Sequence, residues 1–316
     1  MKKYWLKLML FSLSVLVVVW FIEWEYRSIP NDYSYKSHCM EKNKDKIKVL
    51  VLGASHCYRG VNPAYFDLKC FNLSLVSQSI DYDYYILEKY IQTLSNLEYV
   101  ILPVNYITFS YQLEDEIEHW RKYRYIHFMH MNSKLTVEDL FTIDRYLTIS
   151  QQSSSSVINH LFRHWAYDEN HISCDTNGWG YLSAAGWDQK PLKMEQQLIL
   201  AAKEAADRHK VFTFDPNSKN MEYFSKIIQL CEAYQCKLIL MTPPASSYYV
   251  NNLDVNQWNR ITQMCDSIDN RYDHVRYLNF IHDTSFTDVS FADGDHLNHK
   301  GAKILSQKLN QTLKRF

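Results

Sequence analysis

Short, wholly apolar runs recur along this chain, separated by stretches whose apolar residues return at helical spacing. The first run is KVLVLGAS, β-branched and closing in Gly53-Ala54-Ser55, which predicts a buried parallel strand and a tight turn. A second strand is expected at Cys70 to Leu75. Tyr84, Leu87, Ile91 and Leu94 then fall on one helical face. Tyr99 to Pro103 (YVILP) predicts a third buried strand. The rhythm breaks over residues 106–215, which are mostly helical in character but carry SSSS at Ser153 to Ser156 and the patch NGWGYLSAAGW. This stretch reads as an insertion covering the domain. Alternation resumes with a helix from Met221 to Tyr234 and a strand from Lys237 to Met241, stopped at Thr242, Pro243 and Pro244. A helix near Val255 to Ile268, a strand near Val275 to Leu278 and a helix near Lys300 to Leu313 complete the chain. Strand, helix, strand in this order predicts an α/β fold, a parallel sheet with helices on both faces. Sites in such sheets lie where strands end, which directs attention to the loops starting at Gly53, Leu75, Val104, Thr242 and Asn279.

The N-terminus has a different pattern. Leu8 to Ile22 is uncharged, Lys2, Lys3 and Lys7 precede it, and no acidic residue appears before Glu23. With Tyr4 to Lys7 added, the stretch approaches the roughly 20 residues that span a bilayer. Trp5, Trp20 and Trp24 sit near its ends, where interfacial anchors belong. No small-residue cleavage site follows Val19-Trp20-Phe21-Ile22. The expectation is a single-pass anchor over residues 1–25, with the lysines in the cytoplasm, a tether over 26–46 and the domain over 47–316 on the far side. A cleaved signal peptide and a buried core helix are the alternatives.

The 316 residues carry 34 Lys and Arg against 35 Asp and Glu, a formal net charge of -1, so no electrostatic pull toward nucleic acid is implied. Apolar residues at 47% and charged residues at 22% exclude a disordered chain. The seven cysteines are odd in number and contain no C-x-x-C spacing, which argues against a thioredoxin motif or a zinc ribbon. Most read as small buried hydrophobes. Glycine is scarce, 7 in all, and concentrates in three loops. Gly53 and Gly60 flank the turn after the first strand, Gly178, Gly180 and Gly186 lie in the insertion, and Gly294 and Gly301 bracket Asp295-His296-Leu297-Asn298.

Two of those loops carry candidate chemistry. Ser55, just past a buried strand, is held at the sheet's C-terminal edge. Alone, such a serine is more often a helix N-cap. A serine hydroxyl becomes a nucleophile only when an imidazole accepts its proton, and the imidazole needs an acid on its other nitrogen. Asp293-Gly294-Asp295-His296 supplies both. Neighbouring side chains usually diverge, which favours Asp293 over Asp295 as the partner of His296.

Ser55 after the first strand together with Asp293-x-x-His296 before the last helix resembles the SGNH, or GDSL-like, hydrolase family. VLGASHCYRGVNP and FADGDHLNHKGA are most similar to its membrane-anchored bacterial members, including those similar to DltD and the alginate O-acetylation proteins. The resemblance covers roughly residues 47–105 and 236–312. It implies a flavodoxin-like three-layer α/β/α sheet, with Ser55 as nucleophile, His296 as base and Asp293 as its orienting acid. It also implies an oxyanion hole from the serine's own N–H, a backbone N–H of Ser77 or Gln78 after the second strand, and the Asn105 side chain. The chain departs from the family in reading Gly-Ala-Ser, in lacking a glycine after the second strand and in following Asn105 with Tyr106.

Competing site readings lack their full patterns. G-x-S-x-G fails at Cys57, G-x-G-x-x-G has only Gly53, and His56, Asp293, His296 and His299 show no recognised metal spacing. Trp120 to Met131 and the aromatics Trp165, Trp179, Tyr181 and Trp187 read mostly as core. Trp179 and Tyr181, beside three glycines, are the candidate substrate contacts. The expected function is a membrane-anchored serine esterase or O-acyltransferase acting on esters of an envelope polysaccharide, periplasmic or extracellular, with no metal or organic cofactor. The resemblance also implies a membrane-bound O-acyltransferase as a partner. The alternative is a catalytically inactive SGNH-like domain that binds glycan or that partner.

Overall fold

In the computed structural model, residues 1–181 and 195–316 are described. They form two compact units. One comprises Met1–Tyr35 and His119–Ile172, the other Lys36–Glu118 and Ser173–Phe316.

The larger unit is built on five parallel strands, β1 (Val49–Val51), β2 (Cys70–Asn72), β3 (Tyr99–Pro103), β4 (Lys237–Thr242) and β5 (Val275–Asn279). Their spatial order is β2-β1-β3-β4-β5. This is the flavodoxin-like arrangement, whose switch point falls between β1 and β3. Each strand expected from the sequence lies on one of these. β1 and β3 pair from Val49 with Tyr99 to Val51 with Ile101, so Ser55 and Asn105 leave neighbouring strands at the same edge of the sheet.

The strands read as continuous apolar runs because both faces are covered. Val49, Val51, Ile101, Ile239 and Met241 point to one side and pack with Leu305, Leu309 and Leu313 of the C-terminal helix His299–Leu313. Leu50, Val100, Leu102, Leu238 and Leu240 alternate with them and are fully buried on the other side. Helices Ile80–Ile91 and Lys219–Ala233 pack on each other, and the latter lies against β4. Helix Asp32–Asn43 falls within the segment read as a tether, and its Lys36 and Met40 are fully buried. All seven cysteines are buried.

In the smaller unit, helix Lys2–Ser28 has 27 residues, about 40 Å at 1.5 Å per residue, against a hydrocarbon core of about 30 Å. It is long and apolar enough to cross a membrane, and none of its most apolar stretch is buried. Glu23, which ends the apolar run, is an anchor point. Its carboxylate accepts the Thr148 N–H at 2.8 Å and the Ile149 N–H at 3.0 Å and pairs with Arg27. Tyr26 and Ile29 form a small core with Val157 and Leu161. Of the stretch 106–215, residues 119–172 belong to this unit and the remaining described residues to the sheet unit.

Candidate active site

The turn after β1 depends on Gly53. Its φ is +107°, and a Cβ there would lie 2.1 Å from the Pro103 ring, so only glycine lets the chain pass β3 this closely. The Gly53 N–H donates to Asp83 Oδ1 at 2.6 Å, and the same oxygen accepts from Gln78 Nε2 at 2.6 Å. One buried carboxylate thus ties the loop after β1 to the loop after β2. Burial pushes Asp83 up to about 7, against the two hydrogen bonds that lower it. Ser55 follows as the first residue of the short helix Ser55–Gly60.

The second loop is folded by its own aspartate. Asp293 Oδ1 accepts the N–H groups of Asp295 at 3.1 Å and His296 at 2.8 Å, and Ala292 N–H bonds back to His296 O at 2.8 Å. Gly294 lets this loop touch helix Glu195–His209, since a Cβ there would lie 2.4 Å from Ala202 Cα.

These two loops bring the three residues together. Ser55 Oγ lies 2.7 Å from His296 Nε2, and His296 Nδ1 lies 3.0 Å from each oxygen of Asp293. The expectation that Asp295 diverges needs correction. Its Oδ1 lies 3.2 Å from His296 Nδ1, and its Oδ2 lies 3.1 Å from His56 Nε2. Because the loop bends at Gly294 and Asp293 caps it, both carboxylates converge on one imidazole. Burial alone would lower His296, but Asp295 and then Asp293 outweigh it and hold the imidazole well above its ordinary range. Burial would raise Asp295, but His296 and His56 outweigh that and hold it well below the usual carboxylate range.

A cavity of about 160 Å³ opens over Ser55, lined also by His56, Ser77, Gln78, Asn105 and His296. Asn105 Oδ1 accepts from the Ile107 N–H at 3.1 Å and Thr108 Oγ1 at 3.0 Å. This fixes the amide with its Nδ2 toward the cavity, 3.5 Å from His56 Nδ1. The two candidates after β2 separate. The Gln78 N–H bonds to Leu75 O at 3.3 Å and its side chain to Asp83. Ser77 has φ 59°, and its N–H makes no hydrogen bond among the described residues. The Ser55 N–H, in the first turn of its helix, likewise has none. Ser77, Ser55 and Asn105 all border this cavity.

Trp179 and Tyr181 do not line this cavity. Trp179 is 9% exposed and its Nε1 donates to Arg59 O at 2.8 Å, which makes it a packing residue. Gly186 and Trp187, in the rest of that patch, lie outside the described residues. Two further cavity residues, Asp83 and His209, escaped the sequence reading, and His56 entered it only as a candidate metal ligand. His209 Nδ1 lies 2.6 Å from the Tyr249 hydroxyl, and burial pushes it down to about 4. Nothing in a single sequence announces these, because each acts through a partner far along the chain. The donor atoms of His56, Asp295 and His296 lie within 4.8 Å of one another, a spacing a metal ion can bridge. Each is already engaged by a protein partner, and a metal on His296 would take the lone pair that Ser55 needs. His299 lies apart from this group, with its ring 5.0 Å from Trp179.

No family model matches the chain, and no curated protein does. Two solved structures resemble it over nearly its whole length. A proposed acylhydrolase from Bacteroides fragilis NCTC 9343 shares 9% identity over 93% of this chain and 94% of its own, with a TM-score of 0.40. A proposed platelet activating factor from Streptococcus pneumoniae shares 10% over 96% and 99%, also with a TM-score of 0.40. At that level neither likeness carries the fold or the site, which rest on strand order and side-chain geometry.

Proposed function

We propose that this protein is an SGNH-type serine esterase or O-acyltransferase, anchored in the cytoplasmic membrane by its N-terminal helix. One observation carries the reading: Ser55, His296 and Asp293 form a continuous hydrogen-bonded chain beneath a cavity that Ser77 and Asn105 also border. Ser55 Oγ attacks an ester carbonyl while its proton passes to His296 Nε2. The carbonyl oxygen becomes an oxyanion that the Ser55 and Ser77 N–H groups and the Asn105 amide stabilise. The two carboxylates beside Nδ1 favour the imidazolium that forms at this step. The tetrahedral intermediate collapses, His296 returns the proton to the departing alcohol, and an acyl-Ser55 remains. Water or a sugar hydroxyl then attacks the acyl carbon, losing its proton to His296, which passes it to the departing Ser55 Oγ as an acid or a new ester is released.

An envelope polysaccharide as substrate, a membrane-bound O-acyltransferase as partner, and a periplasmic or extracellular domain complete the proposal. The last is supported by Lys2, Lys3 and Lys7 ahead of the apolar run. The test is a fluorophosphonate probe together with turnover of a small acetyl ester. Labelling that Ser55→Ala abolishes, with acetate release by the wild type, supports the proposal. An unlabelled, inactive wild type of intact fold overturns it and leaves the binding-module alternative.

A further inference from the structure

The smaller unit holds a cavity of about 220 Å³ that the proposed reaction does not use, lined by Tyr26, Trp120, Arg121, Arg124, His160 and His171 among others. Arg124 is 8% exposed, and its Nε is buried with no hydrogen-bond partner. Among the described residues no carboxylate pairs with it. Its surroundings are aromatic instead, with ring centroids of Trp120 and Phe128 at 5.6 Å and of Tyr26 at 5.8 Å. Ring faces attract a guanidinium but leave its in-plane N–H donors unmet, and a buried charge without an acid is costly. Arg121 also lines the cavity, donating to the Tyr33 hydroxyl at 3.3 Å and lying 4.8 Å over Trp120. Asp32 also lies on the wall. Burial, and then Arg124's charge for His160, hold His160 and His171 below the usual imidazole range, so both present neutral rings.

We propose that this cavity binds a phosphate group, with Arg124 as its principal ligand. Planar guanidinium forks match tetrahedral oxyanions bidentately, and the buried Arg124 Nε has a hydrogen bond still to make. The location suggests how the group arrives. Tyr26 lies four residues beyond Ile22, about 6 Å further along the helix axis, which is headgroup depth for a spanning helix. A lipid headgroup and a soluble phosphate ester both offer the same chemistry. The inference does not rest on the esterase reading.

The test uses the full chain in neutral detergent, followed by calorimetric titration and thermal melting. The probes are dihexanoyl phosphatidic acid, dihexanoylglycerol with the same chains and no phosphate, and inorganic phosphate. Phosphatidic acid should bind and raise the melting temperature, and dihexanoylglycerol should do neither. Inorganic phosphate binding as well would identify the phosphate alone as sufficient, and its failure to bind would assign the lipid as source. Arg124→Gln should weaken binding at least tenfold without lowering the melting temperature of the phosphate-free protein, since it removes an unpaired buried charge. Arg124→Lys, charged but without the fork, should fall between. The proposal is overturned if no phosphate probe binds, if dihexanoylglycerol binds as well as phosphatidic acid, or if both Arg124 variants bind like the wild type. It is also overturned if Arg124→Gln melts lower without any ligand, because Arg124 is then a packing residue. Should Arg124→Gln not fold, the wild-type titrations and Arg124→Lys decide.

Discussion

His56 lies flat against His296, with ring centroids 4.8 Å apart and planes 12° apart, and the two imidazoles share Asp295 between them. Asp295 is therefore part of the charge balance of the site. Removing its charge takes away the largest influence raising His296. A base held above its ordinary range is unprotonated only at higher pH, so activity should rise toward alkaline pH. Asp295→Asn should move that rising limb to lower pH, whereas Asp293→Asn should chiefly lower the plateau by misorienting the ring. A pH–rate profile of each variant on a small acetyl ester distinguishes the two roles. Identical profiles for Asp295→Asn and wild type would show that the charge is idle.

Ser55 and His296 should behave as one unit. Each alanine substitution should cost on the order of 10³-fold or more in kcat, and the double variant should be scarcely worse than either single. Steady-state kinetics of the three variants check this, and multiplicative losses would contradict it.

Asp83 gives the fold a pH dependence of its own. Its carboxyl rises from 3.8 to about 7 on folding, so the folded state holds this proton more tightly than the unfolded chain between those values. Its contribution is present at acid pH and is lost as pH rises through that window. Asp83→Asn should therefore gain stability relative to wild type on going from about pH 5 to about pH 8. Melting curves at the two pH values measure the change, and an unchanged difference would refute it.

Trp179→Ala should destabilise the sheet unit by roughly 3–5 kcal/mol, the usual cost of emptying a packed aromatic site. Ester turnover per folded molecule should stay near wild type, because Trp179 lies outside the Ser55 cavity. Loss of turnover with an unchanged melting temperature would restore it as a substrate contact.

The N-terminal helix should remain in the mature protein and fractionate with membranes. Sequencing the purified protein checks this, and a mature terminus after Ile22 would refute it.

Strands β1 to β4 were legible because each is a short run buried on both faces, and local composition records that directly, whereas the edge strand β5 alternates buried and exposed positions. Ser55 and His296 were legible because each sits where a strand or helix boundary is marked by glycine. What escaped depends on distant pairing. Asp83 looks like an ordinary polar position in IDYDYY until Gly53 and Gln78 fold over it. Asp295 looked divergent because adjacency alone ignores the cap that Asp293 places on the loop. Trp179 beside Gly178 and Gly180 suggested a ligand loop, but these glycines serve close packing. Cβ atoms there would lie 1.9 Å from Asn72 O and 2.1 Å from the Tyr58 ring.

Ser55 and His296 touch across 241 residues of chain. Ribosomes add about 5–20 residues per second, so roughly 10–50 seconds separate the making of Ser55 from the making of His296. Through that interval the serine exists without anything to take its proton. On the proposed reading, a chain that stops short of His296 carries the serine without its base.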